Sequence, residues 1–201
     1  MARNIWAKAI LYGMGCLPLI EKHQKLKDGG PYFLVANHSS MLDIALMLYV
    51  SKIPFAFVGK QELAKIPVFG FFYSRTCILV DRENAKSRAS VYTAVQRRLE
   101  RGISVAIFPE GGVPEAHILL DRFKDGAFRM AIAHTVPIIP MVFLDCKQRF
   151  PWDFFKGSPG PLRVVRMPLV ATEGLNRNDV SRIKESVRNG MLDILQSAMN
   201  K

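Results

Sequence analysis

Apolar runs just long enough for a strand recur along this chain, and segments of helical periodicity separate them. That alternation admits few folds. PYFLVAN (31–37), PFAFVG (54–59), TCILVD (76–81), SVAIFP (104–109) and PIIPMVFL (137–144) are near-continuous apolar segments, the mark of strands buried on both faces. Between them, SSMLDIALMLYVS (39–51), a short segment at 60–65, KSRASVYTAVQRRLERG (86–102) and FKDGAFRMAIAHT (123–135) read as helices. In the third, Val91, Val95 and Leu99 share one stripe and Gly102 ends the helix. LRVVRMPLV (162–170) is placed at a sheet edge, and 178–199 is a closing helix with Val180, Ile183, Val187, Met191 and Ile194 at helical spacing. The order predicts an α/β fold with a mostly parallel central sheet flanked by helices. At 201 residues, with no linker in view, the chain supports one domain and a sizeable core.

The N-terminus departs from that rhythm. MARNIWAKAILYGMGCLPLI carries Arg3 and Lys8, then an uncharged run from Ala9 to Ile20. That run is short of the ~20 residues that span a bilayer. It resembles a signal-peptide core, but no small-x-small site precedes EKHQKLK. Trp6, Lys8 and Tyr12 beside aliphatic residues suit a helix lying in a membrane interface; a buried first helix is the other reading. The expected division is a membrane-associating helix over 1–20 and one domain over 21–201.

Lys and Arg outnumber Asp and Glu by 28 to 17, a formal charge of +11, which favours a polyanionic neighbour: nucleic acid, an anionic bilayer or phosphate-bearing substrates. The segment 87–102 could pass for a basic helix, but no RRM signature, zinc ligand set or helix-turn-helix pair accompanies it. Cys16, Cys77 and Cys146 lie at unrelated spacings without a CxxC, the usage of reduced thiols in a cytosolic compartment. His23, His38, His117 and His134 show no metal-ligand spacing.

The stretch VANHSSMLDIALML (35–48) carries the chemistry. His38 lies where a strand gives way to a helix, the position at which open α/β sheets bind ligands. Ser40 and Asp43 have capping-box spacing, so Asp43 could simply close the helix N-terminus. Alternatively, its carboxylate holds one nitrogen of His38, fixes the tautomer, and leaves the other nitrogen as a general base near neutral pH. Ser39 and Ser40 lack the G-x-S-x-G surroundings of a serine nucleophile. Asn37 could orient the pair, donate to a substrate or cap the strand.

Beyond this block come VGKQELAKIPVFG (58–70), ILVDR (78–82), IFPEGG (107–112) and VPIIPM (136–141). In this order the set resembles the glycerolipid acyltransferases, specifically the lysophosphatidic acid acyltransferase (1-acylglycerol-3-phosphate O-acyltransferase) family, over about residues 30–145. NHSSMLD matches that family's N-H-x-x-x-x-D block, Lys60, Leu63, Gly70 and Arg82 its second, FPEGG the start of its third and VPIIP its fourth. Two departures stand out. The second block is about one residue short between Gly70 and Arg82, and the third block's E-G-T-R reads Glu110-Gly111-Gly112-Val113. The family's arginine helps hold the acceptor phosphate, and Val113 cannot; Arg82 with Lys60 could carry that duty, Arg122 or Lys124 could substitute, or the acceptor differs.

The resemblance implies a transfer of a fatty acyl group from acyl-CoA or acyl carrier protein to the free hydroxyl of 1-acylglycerol 3-phosphate, giving phosphatidic acid, with no further cofactor. His38 and Asp43 would be the catalytic pair, with Asn37, Lys60, Arg82, Glu110, Gly111 and Gly112 binding substrate. Glu110 would order the acceptor site or pair with a cation such as Arg82, whose fork suits a phosphate although a plain surface arginine is possible. Backbone N–H groups of the EGG turn are candidate oxyanion donors, and Gly70 and Gly111 read as backbone-geometry positions. A related reading keeps the fold and changes the acceptor to a lyso amino-acid lipid. KIPVFGFFY (65–73) and RFPWDFFKG (149–157) mix aromatic with basic residues, as lipid-facing or core segments do. The expected place is the cytoplasmic face of the inner membrane, on an anionic lipid surface, with no nucleic-acid partner.

Overall fold

Parallel strands need crossovers, and the helices between the apolar runs supply them. The computed structural model describes residues 2–22, 30–67, 69–81, 84–151 and 156–200. In chain order these form α1 (Ala2–Gly13), β1 (Cys16–Lys22), β2 (Phe33–Ala36), α2 (Leu42–Val50), β3 (Phe55–Lys60), α3 (Phe69–Thr76), β4 (Ile78–Val80), α4 (Ala85–Leu99), β5 (Ser104–Ile107), α5 (Gly126–Ala133), β6 (Ile138–Phe143), α6 (Cys146–Arg149), β7 (Gly160–Arg166) and α7 (Val180–Met199). A 3-10 turn, Gln61–Lys65, follows β3. The described strands make one seven-stranded sheet in the order β1-β7-β6-β2-β5-β3-β4. Strands β2 to β6 are mutually parallel; β7 runs antiparallel to β6, and β1 runs parallel to β7.

The sheet is covered on both faces, which is why its strands are apolar throughout. One face packs Phe33, Val35, Val105, Ile107, Ile138 and Val142 against α4, α5 and α7. The other packs Leu34, Ala36, Ala106, Ile139, Met141 and Phe143 beneath α2 and α1. Each fully buried side chain of this size contributes about 1.5–3 kcal/mol. The stripe on α7 follows the predicted positions as far as Met191, then continues through Leu195, four residues on, while Ile194 is only partly buried.

Three features differ from expectation. The N-terminal helix ends at Gly13, and residues 16–22 form β1, so the helix expected over 1–20 is two elements. Gly15 turns the chain at φ +67°, and Pro18 is tolerated because β1 is an edge strand. Consequently β7 is not at the edge: it lies between β1 and β6. Finally, the aromatic segment after the 3-10 turn folds as α3, which exposes Phe71 and places the Arg75 guanidinium 3.5 Å from the centroid of its ring. Of the second aromatic segment, residues 152–155 lie outside the described residues.

Candidate active site

Topology gathers the C-terminal ends of β2, β5, β3, β4 and β6 along one border of the sheet, and β2 is the middle strand of seven. The chain leaves β2 at Asn37, whose amide donates to the Phe143 carbonyl (3.0 Å) and accepts from the Phe143 N–H (2.8 Å). Asn37 is therefore buried and ties β2 to β6, the strand-end cap that was one of its expected roles. That tie fixes the next residue. His38 projects with its ring stacked on Phe108 (centroids 4.2 Å apart, planes at 12°), and its Nδ1 lies 3.0 Å from Asp43 Oδ2.

Asp43 is fully buried in the first turn of α2. Its Oδ2 also accepts the N–H groups of Ser39 (2.5 Å) and Ser40 (2.8 Å). One carboxylate oxygen thus accepts at the start of the helix and also lies against the imidazole. Among the described residues Asp43 Oδ1 has no hydrogen-bond partner. The Cys146 thiol lies behind it; burial first, then the Asp43 charge, pushes that thiol well above its ordinary value. Ser40 is committed elsewhere, since its Oγ donates to the Phe150 carbonyl (2.7 Å) and accepts from the Leu42 N–H (3.2 Å).

Glu110, just past β5, faces this border but contacts no cation within bonding distance among the described residues. Its Oε1 accepts the His38 N–H (2.6 Å) and its Oε2 the Asp121 N–H (2.9 Å). The carboxylate clamps the histidine's main chain to the loop beyond the glycine turn. Burial raises its pKa from 4.5 to about 7, against the lowering effect of the two N–H donors. Gly111 has φ +84°, so its expected backbone role is met. Gly112 is exposed in the same turn. Lys60 ends β3 at the rim, its Nζ 3.9 Å from Glu62 Oε1 and more than half exposed. Arg82 lies outside the described residues. Phe108 and Asp121 were not singled out by sequence; Phe108 could have been, as an aromatic residue ending an apolar strand directly before Pro-Glu-Gly-Gly.

The fold and site define an α/β protein whose central strand delivers a carboxylate-held histidine to the border where parallel sheets bind their ligands. Residues 19–144 match the Acyltransferase family, well over half of the chain, and the chain belongs to that family. A curated relative, the 1-acyl-sn-glycerol-3-phosphate acyltransferase alpha of Mus musculus, is 34% identical over 174 residues, covering 83% of this chain and 59% of its own length. The 1-acyl-sn-glycerol-3-phosphate acyltransferase of Salmonella typhimurium is 40% identical over 114 residues, 56% of this chain and 46% of that one. The chain thus spans about three fifths of the mouse relative. The crystal structure of the 1-acyl-sn-glycerophosphate (LPA) acyltransferase, PlsC, from Thermotoga maritima has the same fold, with a TM-score of 0.77 at 20% identity over 96% of this chain and 78% of that chain.

Proposed function

We propose that this chain moves a fatty acyl group from acyl-CoA or acyl carrier protein to the sn-2 hydroxyl of 1-acylglycerol 3-phosphate, forming phosphatidic acid for phospholipid synthesis. The observation that carries the reading is the 3.0 Å contact between His38 Nδ1 and Asp43 Oδ2 at the end of the central strand. The curated relatives named above, both 1-acyl-sn-glycerol-3-phosphate acyltransferases, support the choice of acceptor.

With Nδ1 held as a donor to Asp43, His38 presents Nε2 as the base. As the acceptor oxygen attacks the thioester carbonyl, Nε2 takes the hydroxyl proton and Asp43 stabilises the imidazolium. The tetrahedral intermediate collapses, the C–S bond breaks, and the proton passes to the leaving thiolate. No acyl-enzyme is needed, and Ser40 is not available for one. Glu110 and Asn37 fix the main chain on either side of the imidazole, so the base is pre-positioned. Lys60 and Arg82 are assigned to the acceptor phosphate. The work takes place on an anionic membrane surface, at the cytoplasmic face of the inner membrane, where α1 presents Trp6 and Lys8 outward.

The test is an assay of purified protein with labelled acyl-CoA against a panel of lyso-lipids, read by mass. Phosphatidic acid should be the dominant product, and His38→Ala should lower turnover by roughly 10²- to 10⁴-fold in a folded protein. A variant near wild-type turnover removes the general base from the scheme. Preference for a lyso amino-acid lipid would replace the acceptor and keep the reaction; Val113 at the usual arginine position is the feature that favours it.

A further inference from the structure

The cations around the Glu110 loop are mostly spent. Lys147 Nζ donates to the Ile118 carbonyl (2.8 Å), Lys184 Nζ pairs with Asp125 (2.9 Å), and Arg188 donates to the carbonyls of Leu120 and Asp121 (2.9 Å each). Lys124 is different. Its main-chain N–H bonds the Pro109 carbonyl (2.8 Å), which fastens it to the start of the glycine turn. Its side chain then lies flat on Gly111: a Cβ at that position would sit 2.7 Å from Nζ, 2.9 Å from Cε and 3.1 Å from Cδ. The positive φ is what requires glycine at 111; the lysine end that crosses it is flexible and could move aside. Among the described residues the ammonium has neither an ion pair nor a hydrogen bond, and the N–H groups of Gly112 and Val113 also lack partners. The space over Gly112 is open, since a Cβ there would meet nothing within 4 Å.

An ammonium lying over a glycine turn that has two free N–H groups can serve a multidentate anion. It stands one residue from Glu110, which holds the main chain of His38. We propose that Lys124, with the N–H groups of Gly112 and Val113, binds a phosphate group of the substrates and so sets the position of the reacting hydroxyl or thioester relative to His38. This role rests on the acyl-transfer reading above. Two sources offer the same chemistry, the phosphomonoester of the acceptor and the phosphates of the donor's carrier.

The experiment compares wild type with Lys124→Gln and with Arg101→Gln, an exposed charge control at the opposite end of β5. KM and kcat are measured separately for 1-acylglycerol 3-phosphate, for phosphate-free 1-acylglycerol and for acyl-CoA; binding of glycerol 3-phosphate and of inorganic phosphate is followed by calorimetry. Loss of Lys124 should raise one KM about ten- to a hundredfold, with kcat held within about threefold. A rise confined to 1-acylglycerol 3-phosphate supports the role with the acceptor as the source, and a rise confined to acyl-CoA supports it with the donor as the source. A change no larger than that of Arg101→Gln, or an equal change with phosphate-free acceptor, overturns it. If wild type transfers no acyl group, the functional reading fails by itself. The phosphate role is then decided by calorimetry: weaker glycerol 3-phosphate or phosphate binding in Lys124→Gln alone supports it, and equal binding in all three proteins overturns it.

Discussion

Glu110 is a carboxylate asked to stay buried while accepting two amide protons, and those demands oppose each other with pH. Its folded pKa, about 7, lies above the ordinary 4.5, so between these values the native state holds the proton more tightly than the unfolded chain. The stabilisation from protonation is fully present below about pH 4.5 and is lost as pH rises through about 7, a change on the order of 3 kcal/mol. The ionised form is nevertheless the one that accepts both N–H groups and clamps His38. Glu110→Gln should therefore flatten the stability slope between these pH values, measured by denaturant midpoints; an unchanged slope assigns that titration to another group. The same variant leaves one amide facing an NH₂, and kcat should fall about tenfold with acceptor KM little altered. The His38–Asp43 pair was legible in sequence because its partners are five residues apart across one strand-to-helix turn. The partners of Asn37 and Glu110 were not, because each bonds main-chain groups distant in sequence: Asn37 those of Phe143, over a hundred residues away, and Glu110 those of His38 and Asp121.

Elements with a clean period were readable, and those sharing an apolar run with a neighbour were not. The parallel strands and α4, α5 and α7 were anticipated because each combines one periodicity with a clear stop. β1 was hidden because the uncharged residues of α1 run without interruption into the strand, and only Gly15 and Pro18 mark the change. α3 was hidden because four of its eight residues are aromatic and its packing depends on a partner that periodicity cannot show. That partner is the 3-10 turn. The Gly70 N–H bonds the Ile66 carbonyl (2.7 Å), and a Cβ at position 70 would collide with the Ala64 carbonyl, 2.6 Å from its carbon. Gly70 thus lets α3 seat on main chain that cannot yield as a side chain would. Gly70→Ala should destabilise by roughly 1–3 kcal/mol, read from thermal or chemical denaturation. A wild-type midpoint would mean the turn and α3 are not held in this contact.

At the scale of the molecule, one surface is set apart by where its exposed apolar groups fall. Ile5, Trp6, Tyr12, Leu17 and Leu19 are 45–60% exposed, all within α1 and β1, while Ala7 and Leu11 on the same helix are fully buried. A helix with one face in the core cannot also lie free in lipid, and no helix among the described residues is long and apolar enough to cross a membrane. For the proposed membrane docking the arrangement suits shallow contact: aromatic and aliphatic groups would enter the interface while the +11 charge of the chain would favour anionic headgroups. Removing α1 and β1 would be a poor test, since Ala7, Leu11 and Cys16 belong to the core. The informative variant is Ile5→Ser with Trp6→Ser, which leaves those core residues in place. Its stability should stay within about 0.5 kcal/mol of wild type. Cosedimentation with anionic phospholipid vesicles should weaken by about tenfold or more, because two large side chains no longer leave water on docking. Raising salt should weaken both proteins' binding further through screening of the anionic surface. Equal vesicle binding by variant and wild type at every salt concentration would place the docking face elsewhere on the molecule.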